Sequence, residues 1–209
     1  WSMIDYYACT MCNKCSMVCP MGINLGPLIH TMREGLSAAH AVPADLKAAV
    51  NKQETEGSPL GVTDAVFASR IEWVADEWEI EMPIDVKSAD TLVVFSSIEI
   101  MKFPTNLAAI AKILNAAGEK WTLSKKGREV VNFGFYEGNE KLTVEFMNRV
   151  FNAAKELGVK RIVVTECGHA YDALRWTAAN LMDVPDIEVT HIAGLLGEYV
   201  KSGRIKLKP

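Results

Sequence analysis

Four of the five cysteines in this 209-residue chain lie at positions 9, 12, 15 and 19, and a proline follows the last of them. An odd total, with four thiols so close together, is a poor basis for a disulfide framework. The spacing Cys9-x-x-Cys12-x-x-Cys15-x-x-x-Cys19-Pro20 is that of the bacterial-ferredoxin motif, which holds iron–sulfur clusters. Soft thiolates suit iron–sulfide cores, and two-residue gaps let three sulfurs reach three corners of one cubane. We therefore expect Cys9, Cys12 and Cys15 to bind a [4Fe-4S] cluster.

The fourth cysteine of the run, Cys19, is expected to act differently. In two-cluster ferredoxins the fourth cysteine ligates the other cluster, which would place the remaining ligands of a second cluster before Trp1. The alternative is one cluster bound by all four cysteines, which is geometrically more crowded. A zinc knuckle is a further alternative, although zinc sites favour two Cys-x-x-Cys pairs set well apart. The start at Trp1 and the ending GRIKLKP predict a piece of a longer polypeptide.

Charge and hydropathy argue against two classes of partner. The net charge is −4 and the pI is about 5.6, so a broad attraction to nucleic acid is not expected. No apolar run approaches the ~20 residues that cross a bilayer, and no signal peptide is visible. We therefore expect no nucleic-acid partner and no direct membrane span.

The first part of the chain is expected to be helical throughout, with a cluster module over 1–42 and a connector over 43–88. A helix over 24–38 is predicted from apolar residues at helical spacing, namely Leu25, Leu28, Ile29, Met32 and Leu36. Pro43 favours the start of a second helix that runs to residue 53. A third helix is predicted from Val62 to about Trp78.

From residue 89 to residue 209 the pattern changes to strands that alternate with helices. The predicted strands are 90–97, 129–134, 161–167 and 187–192. Such alternation implies parallel pairing through right-handed crossovers. The predicted fold class is therefore mixed α+β and α/β: an all-helical ferredoxin-like cluster module followed by a doubly wound parallel α/β half-domain. Neither a G-x-G-x-x-G motif nor a P-loop is present, so no nucleotide site is predicted.

In such sheets, functional residues gather where strands end and helices begin. Three stretches hold those positions: Ser96-Ser97, Asn132-Phe133-Gly134 and Glu166-Cys167-Gly168-His169. A helix N-terminus favours the thiolate of Cys167, whereas the charge of Glu166 opposes it unless strand alternation turns that carboxylate away. We expect Cys167 to be a chemically active thiol tuned by Glu166 and His169. A small buried cysteine beside a surface histidine is the alternative.

Several segments give the chain a family resemblance. Besides the cysteine run they are MREGL, GSPLGV, SSIEIMKFP, NFGF, ECGHAYDALRW and GRIKLK. The chain resembles iron–sulfur subunits related to the catalytic subunit of heterodisulfide reductase, in particular those of sulfite-reduction-associated membrane redox complexes. This resemblance implies a ferredoxin module with two cubane clusters and a cysteine-rich (CCG-type) domain of two α/β halves that share a further cluster. It also implies a cytoplasmic location, peripheral on the inner face of the membrane, through a quinone-interacting membrane subunit and other redox subunits.

The α/β part departs from the pattern that the resemblance implies. Cysteines would be expected near the first two strand ends, where this chain has Ser96 and Ser97 at one and Glu137 near the other. Serine and glutamate are poor iron ligands, so this half is not expected to hold a cluster unaided, and disulfide cleavage is not expected of it. The second half would begin beyond Pro209, and with that half present the resemblance implies that Cys167 is a ligand of the further cluster.

These observations predict an electron-transfer subunit that relays electrons between quinone-linked partners and a thiol or disulfide centre. The iron–sulfur subunit of a lactate- or glycolate-oxidase-type complex is the alternative within the same chemistry. A scaffold whose cluster only stabilises a small helical module is the alternative outside redox chemistry.

Overall fold

The first part of the chain is helical in the computed structural model, which describes residues 2–207. Its helices are α1 (Met3–Ala8), α2 (Lys14–Val18), α3 (Leu25–Ala38), α4 (Ala44–Glu56) and α5 (Asp64–Glu77). The last three confirm the helices predicted between residues 24 and 78. Of the apolar residues whose spacing predicts α3, Leu28 and Met32 are 47% and 43% exposed. The fully buried side chain of this helix is that of Arg33.

Four parallel strands form one sheet in the second part of the chain. They are β1 (Thr91–Val94), β2 (Trp121–Thr122), β3 (Arg161–Val164) and β4 (Glu188–His191), in the order β2-β1-β3-β4. Val94 lies opposite Val164, which lies opposite His191, so the carboxyl ends of three strands meet at one edge. The predicted combination of helices with a parallel sheet is confirmed.

The remaining helices connect the strands. They are α6 (Ser97–Lys102), α7 (Pro104–Ala116), α8 (Phe133–Glu137), α9 (Glu140–Leu157), α10 (Gly168–Asp172), α11 (Ala178–Leu181) and α12 (Ile192–Lys201). A π-helical turn, Ala173–Thr177, joins α10 to α11. Within residues 2–207, no helix is both long and apolar enough to cross a bilayer.

Side chains of the central strands alternate between two hydrophobic cores. Leu92 and Val94 of β1 belong to the core that also holds the apolar side of α9. Val93 belongs to the opposite core, with residues of α5, α7 and α12. Because both faces of the sheet are covered by helices, β1 and β3 read as continuous apolar runs in the sequence.

The strand predicted over 129–134 is wrong. Val130 is buried there, but the backbone donors are used locally: the Val131 N–H donates to Glu129 Oε1 at 2.9 Å. The Phe135 N–H donates to Asn132 Oδ1, also at 2.9 Å, and this bond begins α8. A backbone whose donors are satisfied by nearby side chains cannot join a strand ladder. The place beside β1 is taken by the two-residue strand β2.

The strand order creates a topological switch point, the usual position of a ligand crevice, at the carboxyl edge of the sheet. The chain leaves β1 toward β2 on one side and leaves β3 toward β4 on the other. Ligand sites of parallel sheets lie where neighbouring connections diverge in this way. Ser96 follows β1 and Cys167 follows β3, so both lie at this switch point.

The helical part of the chain packs against the α/β part where α1 and α3 contact α8. The Tyr7 hydroxyl donates to the Glu137 carbonyl at 2.9 Å, and the Tyr136 hydroxyl donates to the Tyr7 carbonyl at 2.7 Å. Gly138, which has a φ of 82°, ends α8 directly against α3. A Cβ on Gly138 would lie 2.5 Å from the backbone carbonyl carbon of Arg33. The two backbones therefore approach more closely than a larger residue would allow.

Candidate metal centre

The cysteine run forms the loops on either side of α2. Cys9 directly follows α1, Cys15 lies within α2 and Cys19 directly follows α2. Cys12 and Cys15 are exposed, whereas Cys9 and Cys19 are half-buried. Cys9 packs against the core that contains Leu92 and Val94. One thiol of the run thus lies against the sheet domain while two face solvent.

Backbone N–H groups donate to the first two thiols of this run. Met11 has a φ of 52°, in the left-handed region, and its N–H donates to Cys9 Sγ at 3.3 Å. The pKa of Cys12 is lowered, chiefly by a hydrogen bond from the backbone N–H of Lys14. Iron binds the thiolate, and hydrogen bonds to a charged form stabilise that form. Four thiols at this spacing are a donor set whose chemistry fits an iron–sulfur cluster.

The start of α3 anchors the run. The Leu25 N–H donates to Ser16 Oγ at 2.8 Å. Asn13 lies over Gly26, where a Cβ would meet Asn13 Oδ1 at 2.1 Å. Glycine at this position lets the loop between Cys12 and Cys15 rest directly on the helix.

The structure does not gather the cysteines into a cage. In the part of the chain that it describes, no three Cys, His, Asp or Glu side chains form a group able to hold a metal ion. The ligand set Cys9, Cys12 and Cys15, and the separate role of Cys19, stay predictions from spacing.

Cys167 lies at the crevice, immediately before α10. Burial raises the pKa of its thiol to about 11, and the charges of Glu166 and Glu129 act in the same direction. The backbone N–H groups of Ala170 and His169 oppose the shift. This direction is the reverse of the lowered pKa that the helix dipole predicts, because burial outweighs the N-terminus of a helix of five residues.

Carboxylates and hydroxyls line the crevice beside Cys167. Glu99 Oε2 accepts from Thr165 Oγ1 at 2.6 Å and from the Ser96 N–H at 3.0 Å. The Ser96 hydroxyl donates to Glu166 Oε1 at 2.6 Å. Burial raises the pKa of Glu99. Ser96 therefore serves a hydrogen-bond network at the strand end where the resemblance implies a cysteine.

Glu137 belongs to a different contact, between α8 and α4. Its Oε1 is 2.7 Å from Lys47 Nζ, and its side chain is 1% exposed. Gln53 of α4 donates to the Val131 carbonyl and accepts from the Phe133 N–H at 3.1 Å. These polar contacts hold the segment that was predicted to be a strand.

His169 links the crevice to the cysteine run. Its Nε2 donates to the Thr10 carbonyl at 2.8 Å, and its ring packs edge-on against Tyr136 with centroids 5.1 Å apart. Thr10 lies between Cys9 and Cys12. The helix that follows Cys167 thus contacts the cysteine run directly.

Arg33 makes a second link between the cysteine run and the α/β part, and it was not identified from the sequence. Its guanidinium donates to the carbonyls of Tyr6 (2.8 Å from Nη2), Cys9 and Tyr136 (3.3 Å from Nη1). Burial lowers the pKa of Arg33. The available signal was an arginine in MREGL on the same side of α3 as Ile29.

A cleft of about 770 Å³ separates the cysteine run from the π-helical turn. Its walls include Cys12, His30 and His169, with Asp172 and Trp176 opposite the run. Burial raises the pKa of Asp172. Cys12 therefore faces a recess with room for a bulky ligand.

The chain is similar in sequence to several known oxidoreductases. No family model matches the chain, and no solved structure matches it. It is 26% identical, over 79% of its length, to the Hdr-like menaquinol oxidoreductase iron-sulfur subunit 2 of Archaeoglobus fulgidus. It is also 26% identical to EtfAB:quinone oxidoreductase of Syntrophomonas wolfei and to the probable iron-sulfur-binding oxidoreductase FadF of Bacillus subtilis, over 95% and 97% of its length.

The chain spans only 32%, 28% and 29% of the lengths of these three relatives. The relatives confirm the resemblance to heterodisulfide-reductase-like iron–sulfur proteins that the sequence motifs predict.

Proposed function

We propose that this chain is the iron–sulfur electron-transfer part of a heterodisulfide-reductase-like, membrane-associated oxidoreductase. The observation that carries the proposal is the spacing of Cys9, Cys12, Cys15 and Cys19 before Pro20. The printed names of the relatives, which include a menaquinol oxidoreductase subunit and a quinone oxidoreductase, support the same chemistry.

In this proposal Cys9, Cys12 and Cys15 hold a [4Fe-4S] cluster, which supplies one-electron transfer when bound. Backbone groups of the chain itself hydrogen-bond two of these thiols. The Met11 N–H donates to Cys9 Sγ, and the Lys14 N–H favours the thiolate form of Cys12.

Cys19 and Cys167 have separate proposed roles. Cys19 serves a second cluster, as in ferredoxins with paired motifs. Cys167 is a ligand of a further cluster whose other ligands come from another segment. A buried thiol of raised pKa fits a ligand that loses its proton on binding iron better than it fits a free nucleophile.

The proposed partners are a quinone-interacting membrane subunit and other redox subunits, which would hold the chain at the cytoplasmic face of the membrane. Large apolar side chains are exposed in α2, in the loop that follows it and in α3: Met17, Val18, Met21, Ile23, Leu28 and Met32. Exposed apolar residues in such number suit a surface that another polypeptide covers.

Anaerobic reconstitution with iron and sulfide tests the proposed cluster. We expect uptake of about four irons and four sulfides per cubane, with broad visible absorption. A Cys12→Ala variant should lose this uptake, whereas Cys167→Ala should keep it in the isolated chain. Stoichiometric zinc without sulfide, in protein purified without air, would contradict the proposal.

A further inference from the structure

Arg33 is a buried cation in the middle of an interface. Its side chain is 0% exposed, and its guanidinium lies over the rings of Tyr136 and Tyr7, 4.3 Å and 5.2 Å from their centroids. Both aromatic faces attract a cation, and guanidinium stays protonated in proteins. The side chain therefore carries a full positive charge into the interior.

This charge has no carboxylate partner. Among residues 2–207, no Asp or Glu oxygen lies within 4.0 Å of the Arg33 nitrogens, and the oxygens that accept from it are neutral carbonyls. The neighbouring carboxylates have other partners, because Glu34 is 3.2 Å from His30 Nδ1 and Glu137 is 2.7 Å from Lys47. A buried charge that lacks a counter-charge costs several kcal/mol, so its position calls for a physical reason.

The position points to the cysteine run. One of the carbonyls that Arg33 contacts is that of Cys9, and the next is that of Tyr6 in the helix that leads into the run. The guanidinium thus lies against the backbone of the residue that provides the first sulfur of the motif. Its remaining contact, to Tyr136, fixes it to the sheet domain.

We propose that Arg33 is the fixed counter-charge of the cluster held by Cys9, Cys12 and Cys15, and that it raises the reduction potential of that cluster. The inference rests on the proposed function, because it needs the cluster. A cubane with thiolate ligands is negatively charged, and reduction adds one electron without forming or breaking a bond. A nearby buried cation stabilises the reduced form more than the oxidised form, and net charge around a cluster is among the factors that set its potential.

Three variants separate charge from packing. Arg33→Gln removes the charge and keeps amide donors. Arg33→Lys keeps the charge and loses the planar guanidinium group with its several N–H donors. Arg70→Gln is the matched control, because Arg70 also donates to backbone carbonyls, those of Ile100 and Met101, and also lies over an aromatic ring, 4.5 Å from the centroid of Trp73. Each variant is reconstituted anaerobically and titrated by redox-poised electron paramagnetic resonance (EPR).

We expect Arg33→Gln to shift the one-electron equilibrium toward the oxidised cluster by roughly tenfold, or about 59 mV to more negative potential. Arg33→Lys should shift it by much less, and Arg70→Gln should not shift it. If Arg33→Gln matches Arg70→Gln, or if Arg33→Lys shifts the potential as far as Arg33→Gln, the inference is overturned.

An Arg33→Gln protein that holds no cluster is also informative. Helical circular dichroism equal to that of the wild-type apoprotein would support the counter-charge role, since the fold is kept and the cluster is lost. Loss of that signal would assign Arg33 to folding alone and overturn the inference. A wild-type chain that takes up no iron and sulfide would instead refute the proposed function.

Discussion

Cys12 and Cys167 have the same thiol side chain but differ in exposure and in pKa. Cys12 is exposed with a lowered pKa, and Cys167 is half-buried with a pKa of about 11. The thiolate is the reactive form, and a pKa of about 11 lowers the thiolate fraction of Cys167 near neutral pH roughly a hundredfold below that of an ordinary thiol. In metal-free protein at pH 8, iodoacetamide should therefore modify Cys12 first.

Mass spectrometry of peptides from a time course measures both rates in one sample. The rate at Cys167 should climb as the pH approaches 11, when the rate at Cys12 has already levelled off. Equal rates at pH 8 would show that the burial of Cys167 does not control its reactivity.

Cys19 provides a second test at the scale of one side chain. In the full-length protein, Cys19→Ala should perturb one cluster and leave the cluster of Cys9, Cys12 and Cys15 largely intact, because the fourth cysteine of a paired motif serves the other cluster. EPR of the reduced protein distinguishes the two signals, and Cys12→Ala is the matched control that should remove the other one. Loss of only the Cys9/Cys12/Cys15 signal in Cys19→Ala would mean that all four cysteines share one cluster.

At the scale of the elements, two glycines show what the docking of α3 on α8 requires. Gly138 ends α8 and Gly158 ends α9, with φ values of 82° and 72°. A Cβ on Gly158 meets nothing within 4 Å, whereas a Cβ on Gly138 would lie 2.5 Å from Arg33 backbone. The pair therefore shares the same backbone strain and differs in packing.

We expect Gly158→Ala to lower the free energy of unfolding by about 1–2 kcal/mol, the cost of a left-handed alanine. Gly138→Ala should lower it by clearly more, since the overlap is with backbone and cannot be relieved by a rotamer change. Urea titrations of the two apoproteins provide the measurement. Equal losses would mean that α3 does not pack against α8 as described.

The elements also show how far the sequence alone can lead. The helices α3, α4 and α5 and the strands β1, β3 and β4 follow from apolar periodicity and from the residues that begin or end them. The segment 129–134 was wrongly predicted as a strand because Val130 and Val131 are typical strand residues. The side chains of Glu129 and Asn132 instead hydrogen-bond the local backbone. Arg33 was missed because periodicity identifies buried positions by apolar residues, and here the buried residue is a cation.

On the scale of the whole molecule, the cysteine run and the crevice at Cys167 are two places joined by short polar links. His169 contacts Thr10, and Arg33 contacts both Cys9 and Tyr136. Sequence spacing indicates each place separately, but only the fold shows that the helix after Cys167 contacts the run. This arrangement suits the proposed transfer of electrons between a cluster at the run and a partner centre near Cys167.

The proposed electron-transfer role is tested most directly by a redox-poised EPR titration of the reconstituted protein. We expect a signal that appears and disappears reversibly as one electron is added and removed, and that is absent in Cys15→Ala. A cluster that is bound but cannot be reduced and reoxidised reversibly would contradict electron transfer and would leave a cluster that only stabilises the helical module.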